Sequence, residues 1–248
     1  MPFMSSADVA RRRIGRGFLP AIMGLVLAAG LAGCAYRGGI DEPALRRASW
    51  FSYLDGGDLR ESCGPGAVDR YRLVYNGRYT EQLRSYEVTA DGTGGGLLVA
   101  RALNQANLME LRLDDLQAPW RWKRSETRLT PAEMDALVGA FAASGLFGPP
   151  PDGLRLRSWE FYWVASACRD GRFHFSAWTH PGDRWDALAF PDLLYAEDAT
   201  GVAVNPPREI SAGERFGTRG GKGQRGSELR FTLQVDEDGL GGIAALGW

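Results

Sequence analysis

Three cysteines and two histidines are the residues of this 248-residue chain best suited to nucleophilic or metal chemistry: Cys34, Cys63 and Cys168, and His174 and His180. The histidines are six residues apart. On a strand they share a face, but at roughly 3.4 Å per residue they stand about 20 Å from each other, too far to hold one metal ion. No Gly-x-Ser-x-Gly elbow and no His-Glu-x-x-His pair occurs. The run Gly220-Gly221-Lys222-Gly223 resembles a phosphate loop only superficially. Phe216 stands where that loop needs its first glycine, and Gly223 stands where Ser or Thr would bind magnesium. The adjacent carboxylates Asp114-Asp115 and Glu197-Asp198 point to opposite faces if they lie on strands, whereas glycoside hydrolysis needs two carboxylates about 5–10 Å apart across one sugar. These residues point away from an enzyme, a bound metal and a cofactor.

A row of rings is the remaining chemistry-bearing pattern. Trp159, Phe161, Trp163 and Trp178 fall on one face of a single hairpin. Such a row can stack on sugars or receive apolar side chains of a peptide. It can equally be core beneath helices, and both readings stay open at the level of sequence.

The N-terminus carries a different signal. Arg11, Arg12, Arg13 and Arg16 precede an apolar run from Phe18 to Ala32. A spanning helix needs about 20 residues, and this run has about 15, so it reads as an export signal. It ends in Leu31-Ala32-Gly33-Cys34. This box resembles the bacterial lipoprotein signal at all four positions. The resemblance implies cleavage between Gly33 and Cys34, and acylation of Cys34. Ala35, in place of Asp, implies transfer to the outer membrane, with the protein facing the periplasm. Several acyl chains on one residue would anchor it stably, which a single chain does not.

Cleavage after Gly33 removes four of the 29 basic residues and one of the 30 acids, so the mature chain is net acidic by four. That argues against a nucleic-acid partner, which calls for a basic face. The expected partners are membrane lipid through Cys34 and an envelope protein or peptidoglycan. With Cys34 acylated, Cys63 and Cys168 remain as an even pair in an exported chain and read as a disulfide. Two buried free thiols are the alternative.

The elements that must position these groups follow from period and punctuation. Residues 34–49 read as a lipidated tether and 50–248 as one domain, its first residues, 50–67, loop-like. Residues 70–113 alternate as a four-stranded antiparallel meander, with Asn76-Gly77 as its first turn and Arg72 opposite Glu81. Thr130, Pro131 and Glu133 open a helix through a capping box, Met134, Leu137, Val138 and Phe141 form its apolar stripe, and Gly145 closes it. Residues 156–180 form a second hairpin turning at Asp170-Gly171, with Trp163 opposite Trp178 and Cys168 opposite Phe173. Both of its faces are apolar, so both are covered or one binds something. A short helix near 184–195 is broken at Pro191. A mobile Gly/Arg-rich loop spans 211–227, and a last strand precedes a fraying end.

The fold class is therefore α+β: an antiparallel β-meander and β-hairpin with packed helices. The layout from Thr130 to Leu194 is similar to that of small exported inhibitor-like domains of the emfourin type, without a shared motif. The whole mature chain resembles envelope lipoproteins of Gram-negative bacteria. The expected function is a non-catalytic interaction or assembly factor. The alternative is a glycan- or peptide-binding module that uses the aromatic face.

Overall fold

The computed structural model describes residues 36–104, 120–211, 214 and 230–247. The expected signal, Gly33 and Cys34, the expected strand at 108–113 and most of loop 211–227 lie outside the described residues. In chain order the elements are α1 (Pro43–Asp55), α2 (Gly57–Ser62), β1 (Arg70–Gly77), β2 (Gln82–Ala90), β3 (Gly96–Asn104), β4 (Lys123–Leu129), α3 (Pro131–Ala143), β5 (Arg155–Arg157), β6 (Phe161–Arg169), β7 (Arg172–His180), α4 (Asp183–Asp186), α5 (Pro191–Ala196), β8 (Arg230–Val235) and β9 (Leu240–Gly247). The class is α+β, as the sequence indicates. Strands in the order β4-β3-β2-β1-β6-β7 form a six-stranded antiparallel sheet, and β5-β8-β9 form a second, smaller one. No helix among the described residues is long and apolar enough to cross a membrane.

The large sheet is covered on both faces. On one, Tyr71, Leu73, Tyr75, Tyr86, Trp163 and Trp178 pack under α3, α5 and the segment that follows α5. On the other, Val74, Leu83, Tyr162, Val164 and Phe175 pack against Tyr36, Trp50 and Tyr53 of the N-terminal segment and α1, and against Phe231 and Leu233 of β8. This two-sided burial explains why neither face of the β6–β7 hairpin reads as polar.

The second hairpin has the expected register. Trp163 faces Trp178, Cys168 faces Phe173, and Asp170 and Gly171 both take positive φ, 51° and 69°, as a two-residue turn requires. Helix α3 begins with the expected capping box: the Glu133 N–H donates to Thr130 Oγ1, and the Glu133 carboxylate accepts from the Thr130 N–H at 2.7 Å. Gly145 follows it at φ 80°. The expected helix near 184–195 is divided into α4 and α5, with Pro191 opening the second.

Other expectations need correcting. Residues 36–49 are no tether, and 50–67 are no loop. Tyr36 and Ile40 sit in the core, the Tyr36 N–H donates to Ser52 Oγ at 3.0 Å, and α1 and α2 occupy most of the stretch. The buried side of α1 is Arg46, Ser49, Trp50, Tyr53 and Leu54. Its helical spacing is sound, but two of its members are polar, which hides the stripe from a hydropathy reading.

Asn76-Gly77 is not a turn. Strand β1 runs through both residues, pairing Asn76 with Leu83 and Gly77 with Gln82, and the chain reverses over 78–81 with Arg78 at φ 61°. Asn76 is buried because its Nδ2 donates to Ser158 O and Glu160 O, at 3.2 and 2.6 Å, joining β1 to the loop before β6. Arg72 consequently faces Glu87 rather than Glu81. The fourth strand of the large sheet is β4, placed later than expected, and the C-terminal stretch expected to fray includes β9, paired with β8.

Candidate functional site

Three polar constellations hold the charged groups that could do chemistry, the first in a cleft of about 550 Å³ beside the N-terminal segment. Arg72 lies at its base, 4% exposed, and four of its five N–H donors are engaged in hydrogen bonds. Nε donates to Glu87 Oε1 at 3.0 Å, and Nη1 and Nη2 grip the two oxygens of Asp58 at 2.7 and 2.8 Å. Nη1 also reaches Tyr53 O at 3.1 Å, and Nη2 reaches Glu87 Oε1 at 3.0 Å. The guanidinium sits 4.0 Å from the Tyr53 ring centre and 5.0 Å from that of Tyr36. Burial opposes its charge, but Tyr53, Asp58 and Glu87 outweigh that and hold its pKa above the ordinary value. Burial, then Glu87, pushes the Tyr36 phenol up to about 12. Arg101 takes the second oxygen of Glu87 at 2.5 Å and reaches Asp41 at 2.8 Å. Asp58 and Glu87 are thus fixed to one guanidinium. As an acid–base pair they would first have to give up a buried, bidentate contact.

The second constellation is on the helix-covered face. Arg84 is fully buried beside Tyr86 and donates to Gln82 Oε1 at 2.9 Å. It also contacts the Asp198 carboxylate and the Val202 carbonyl. Asp198 accepts from Tyr86 Oη at 2.8 Å and from the N–H and hydroxyl of Thr200 at 2.9 and 2.5 Å. Gln82, Asn205 and Glu81 continue the network along residues 198–205, with Asn205 N donating to Gln82 Oε1 at 2.9 Å and Asn205 Nδ2 to Glu81 Oε2 at 2.9 Å. This buried network ties the chain after α5 to the start of β2. Its signal in the sequence is Arg84 itself, on the same phase of β2 as the core residues Tyr86 and Val88. A charge at an inward position demands a partner from elsewhere.

The third is a groove of about 760 Å³ between the ends of the two sheets. Arg155 and Arg157 of β5, Thr179 and His180 of β7, and Arg208 and Glu209 line it. Both β5 and β7 are edge strands. Arg157 pairs with Glu160 at 3.2 Å and Arg208 with Glu81 at 2.9 Å, and Arg155 is exposed. Along the rest of the β7 edge, Arg184 donates to Ala177 O and Ser176 Oγ at 3.2 and 3.1 Å, so α4 covers that stretch and leaves the groove end open.

The residues expected to carry function are dispersed. Cys63 and Cys168 form a disulfide, with Cα atoms 5.5 Å apart, that joins the end of α2 to β6. Phe161, Trp163 and Trp178 are core, at 0%, 0% and 1% exposure, so the aromatic face is closed to a sugar or a peptide. The Trp163 and Trp178 ring centres lie 5.1 and 5.4 Å from that of Phe190, and the Trp178 indole donates to Ser144 O at 3.1 Å. Trp159 is half-buried under the Arg230 guanidinium. His174 packs on Phe147 and His180 on Trp185. Among the described residues no group of three His, Cys, Asp or Glu side chains is arranged to hold a metal ion. No protein-family model, no curated protein and no solved structure matches the chain.

Proposed function

We propose that this chain is a lipid-anchored envelope protein, acylated at Cys34 after cleavage behind Gly33, held in the outer membrane facing the periplasm, and acting as a non-catalytic docking or assembly factor. The observation that carries the reading is the box Leu31-Ala32-Gly33-Cys34 placed directly before the folded unit, whose first core residue is Tyr36. The short apolar run before the box supports export rather than a span. The internally paired Arg72 and Arg84 clusters support docking over catalysis, since their carboxylates are committed to buried cations. The docking surface we assign is the open groove between β5 and β7, whose Arg155, Arg157 and Arg208 suit an acidic segment of an envelope protein.

Two measurements test this. Metabolic labelling with a clickable fatty acid should mark the wild-type protein and not Cys34→Ser, and only the wild type should fractionate with membranes. Equal labelling of both overturns the anchor. Crosslinking in intact cells, followed by mass spectrometry, should recover a protein partner whose yield falls in Arg155→Glu. Retention on purified peptidoglycan with no protein partner would replace the docking reading by glycan binding.

A further inference from the structure

The start of the folded unit carries a surface that the clefts above leave unexplained. Of the four large apolar side chains exposed among the described residues, Leu45 at 53% and Trp120 at 42% belong to it. Contacts between chain segments bring the two together. The Leu45 Cδ1 atom lies 2.8 Å from where a Cβ on Gly39 would stand, the Trp122 indole donates to Ile40 O at 2.9 Å, and Arg46 donates to Trp120 O at 2.6 Å. Residues 39–46 and 120–122 therefore form one continuous surface. Exposed Arg121, Lys123 and Arg124 follow Trp120, against exposed Glu42 and Glu126. Asp41 of the same stretch, its side chain 46% exposed, is paired with Arg101, and Arg124 with Glu126, so the patch sets cations beside Trp120 without a large net charge.

We propose that this Leu45–Trp120 surface lies in the interface of the bilayer that holds the acyl chains of Cys34. The proposal rests on the reading that Cys34 is acylated. Two peptide links separate Cys34 from Tyr36, a reach of at most about 8 Å. So short a leash holds the neighbourhood of Tyr36 against the headgroups and lets only nearby surface reach lipid. Gly39, which Leu45 overlies, is five residues from Cys34. An indole at the headgroup level, an aliphatic side chain beside it and flanking cations over anionic lipid are the chemistry of an interfacial contact. The contact would fix the orientation of the domain, with the large sheet held in one attitude to the membrane rather than turning freely on its anchor.

The test uses the full-length chain, expressed in a Gram-negative host, extracted in detergent and reconstituted in phosphatidylethanolamine–phosphatidylglycerol vesicles with or without brominated acyl chains. Mass spectrometry of the N-terminal peptide first establishes whether Cys34 carries lipid. Brominated lipid should quench part of the tryptophan emission of the wild type. That quenched share should be lost in Trp120→Phe and in Leu45→Asp, both of which should keep wild-type circular dichroism. If Cys34 is acylated and the share quenched by brominated lipid is unchanged in Trp120→Phe, the interfacial contact is overturned while the anchor stands. If Cys34 carries no lipid, the anchor reading fails and the contact falls with it.

Discussion

Arg72 and Arg84 sit on opposite faces of the same sheet, and each draws a carboxylate from another part of the chain: Asp58 from α2 and Asp198 from the segment after α5. A buried guanidinium left without its anion is costly, whereas replacing both partners by apolar groups can be nearly neutral. Asp198→Ala should therefore lower stability by about 3–5 kcal/mol in urea denaturation, because it strands Arg84 and also removes the acceptor of Tyr86. The double variant Arg84→Met, Asp198→Leu should recover most of that loss; failure to recover would show that the two side chains matter separately. His174 gives a pH signature at the same scale. Burial first, then Arg172 and Arg169, lowers its pKa below the ordinary 6.5. The folded protein thus resists protonating it more than the unfolded chain does. The contribution of the neutral imidazole is complete above pH 6.5 and is lost as pH falls through the lower folded value. His174→Gln should flatten the fall in melting temperature in that acidic window, and an unchanged pH profile would place the sensitivity elsewhere.

The helices α1 and α2 meet at Gly56, which sits at φ 70° and packs so tightly on β6 that an added Cβ would run into Ser166 Oγ. Gly56→Ala meets both a left-handed backbone and a steric clash, and should cost roughly 1–3 kcal/mol in chemical denaturation. Thr130→Ala, which removes one half of the α3 capping box, should cost about 1 kcal/mol in the same measurement, with no change in the slope against denaturant. The two helices differ in how plainly the sequence declares them. Helix α3 announces itself through Thr130, Pro131 and Glu133, local signals that tertiary context leaves intact. The polar members Arg46 and Ser49 conceal α1: Ser49 is satisfied within the helix by the carbonyl of Leu45, but Arg46 is buried for a reason the local sequence cannot carry, its bond to the carbonyl of Trp120. The hairpins divide the same way. Asp170-Gly171 turns where it should, since its long-range partners, Asp69 on the Asp170 N–H and the Gly64 backbone against Gly171, accommodate the two-residue turn rather than compete with it. Asn76-Gly77 does not, because the Asn76 amide is spent on the loop at 158–160, a partner more than 80 residues distant. The aromatic row was legible as a face. Its burial depended on Phe190 and the end of α3, which period and composition do not bring together.

At the scale of the molecule, the sheet is closed by one long-range pairing, β1 against β6, which sets Arg70 opposite Cys168 across nearly one hundred residues. Cys168 is also the disulfide partner of Cys63, so the same end of the sheet is fastened twice, by ladder hydrogen bonds and by a covalent link spanning 105 residues. Closing so long a loop removes freedom from the unfolded chain, and in the chain-entropy model contributes about 4–5 kcal/mol. This predicts a particular pattern of hydrogen exchange. The amides of β1, β2 and β6 lie in the interior of the six-stranded sheet with covered faces, and should exchange only when the whole domain opens. Amides of the three-residue edge strand β5 should exchange through local opening. Reducing the disulfide shifts the global equilibrium, so it should speed all the slow amides by a common factor and leave those of β5 nearly unchanged. A common factor would show that both faces of the sheet unfold together and that the covalent link acts through the unfolded chain. Acceleration confined to α2 and the adjoining end of β6 would mean instead that the disulfide holds only its own neighbourhood, and that the layers on either side of the sheet come apart independently.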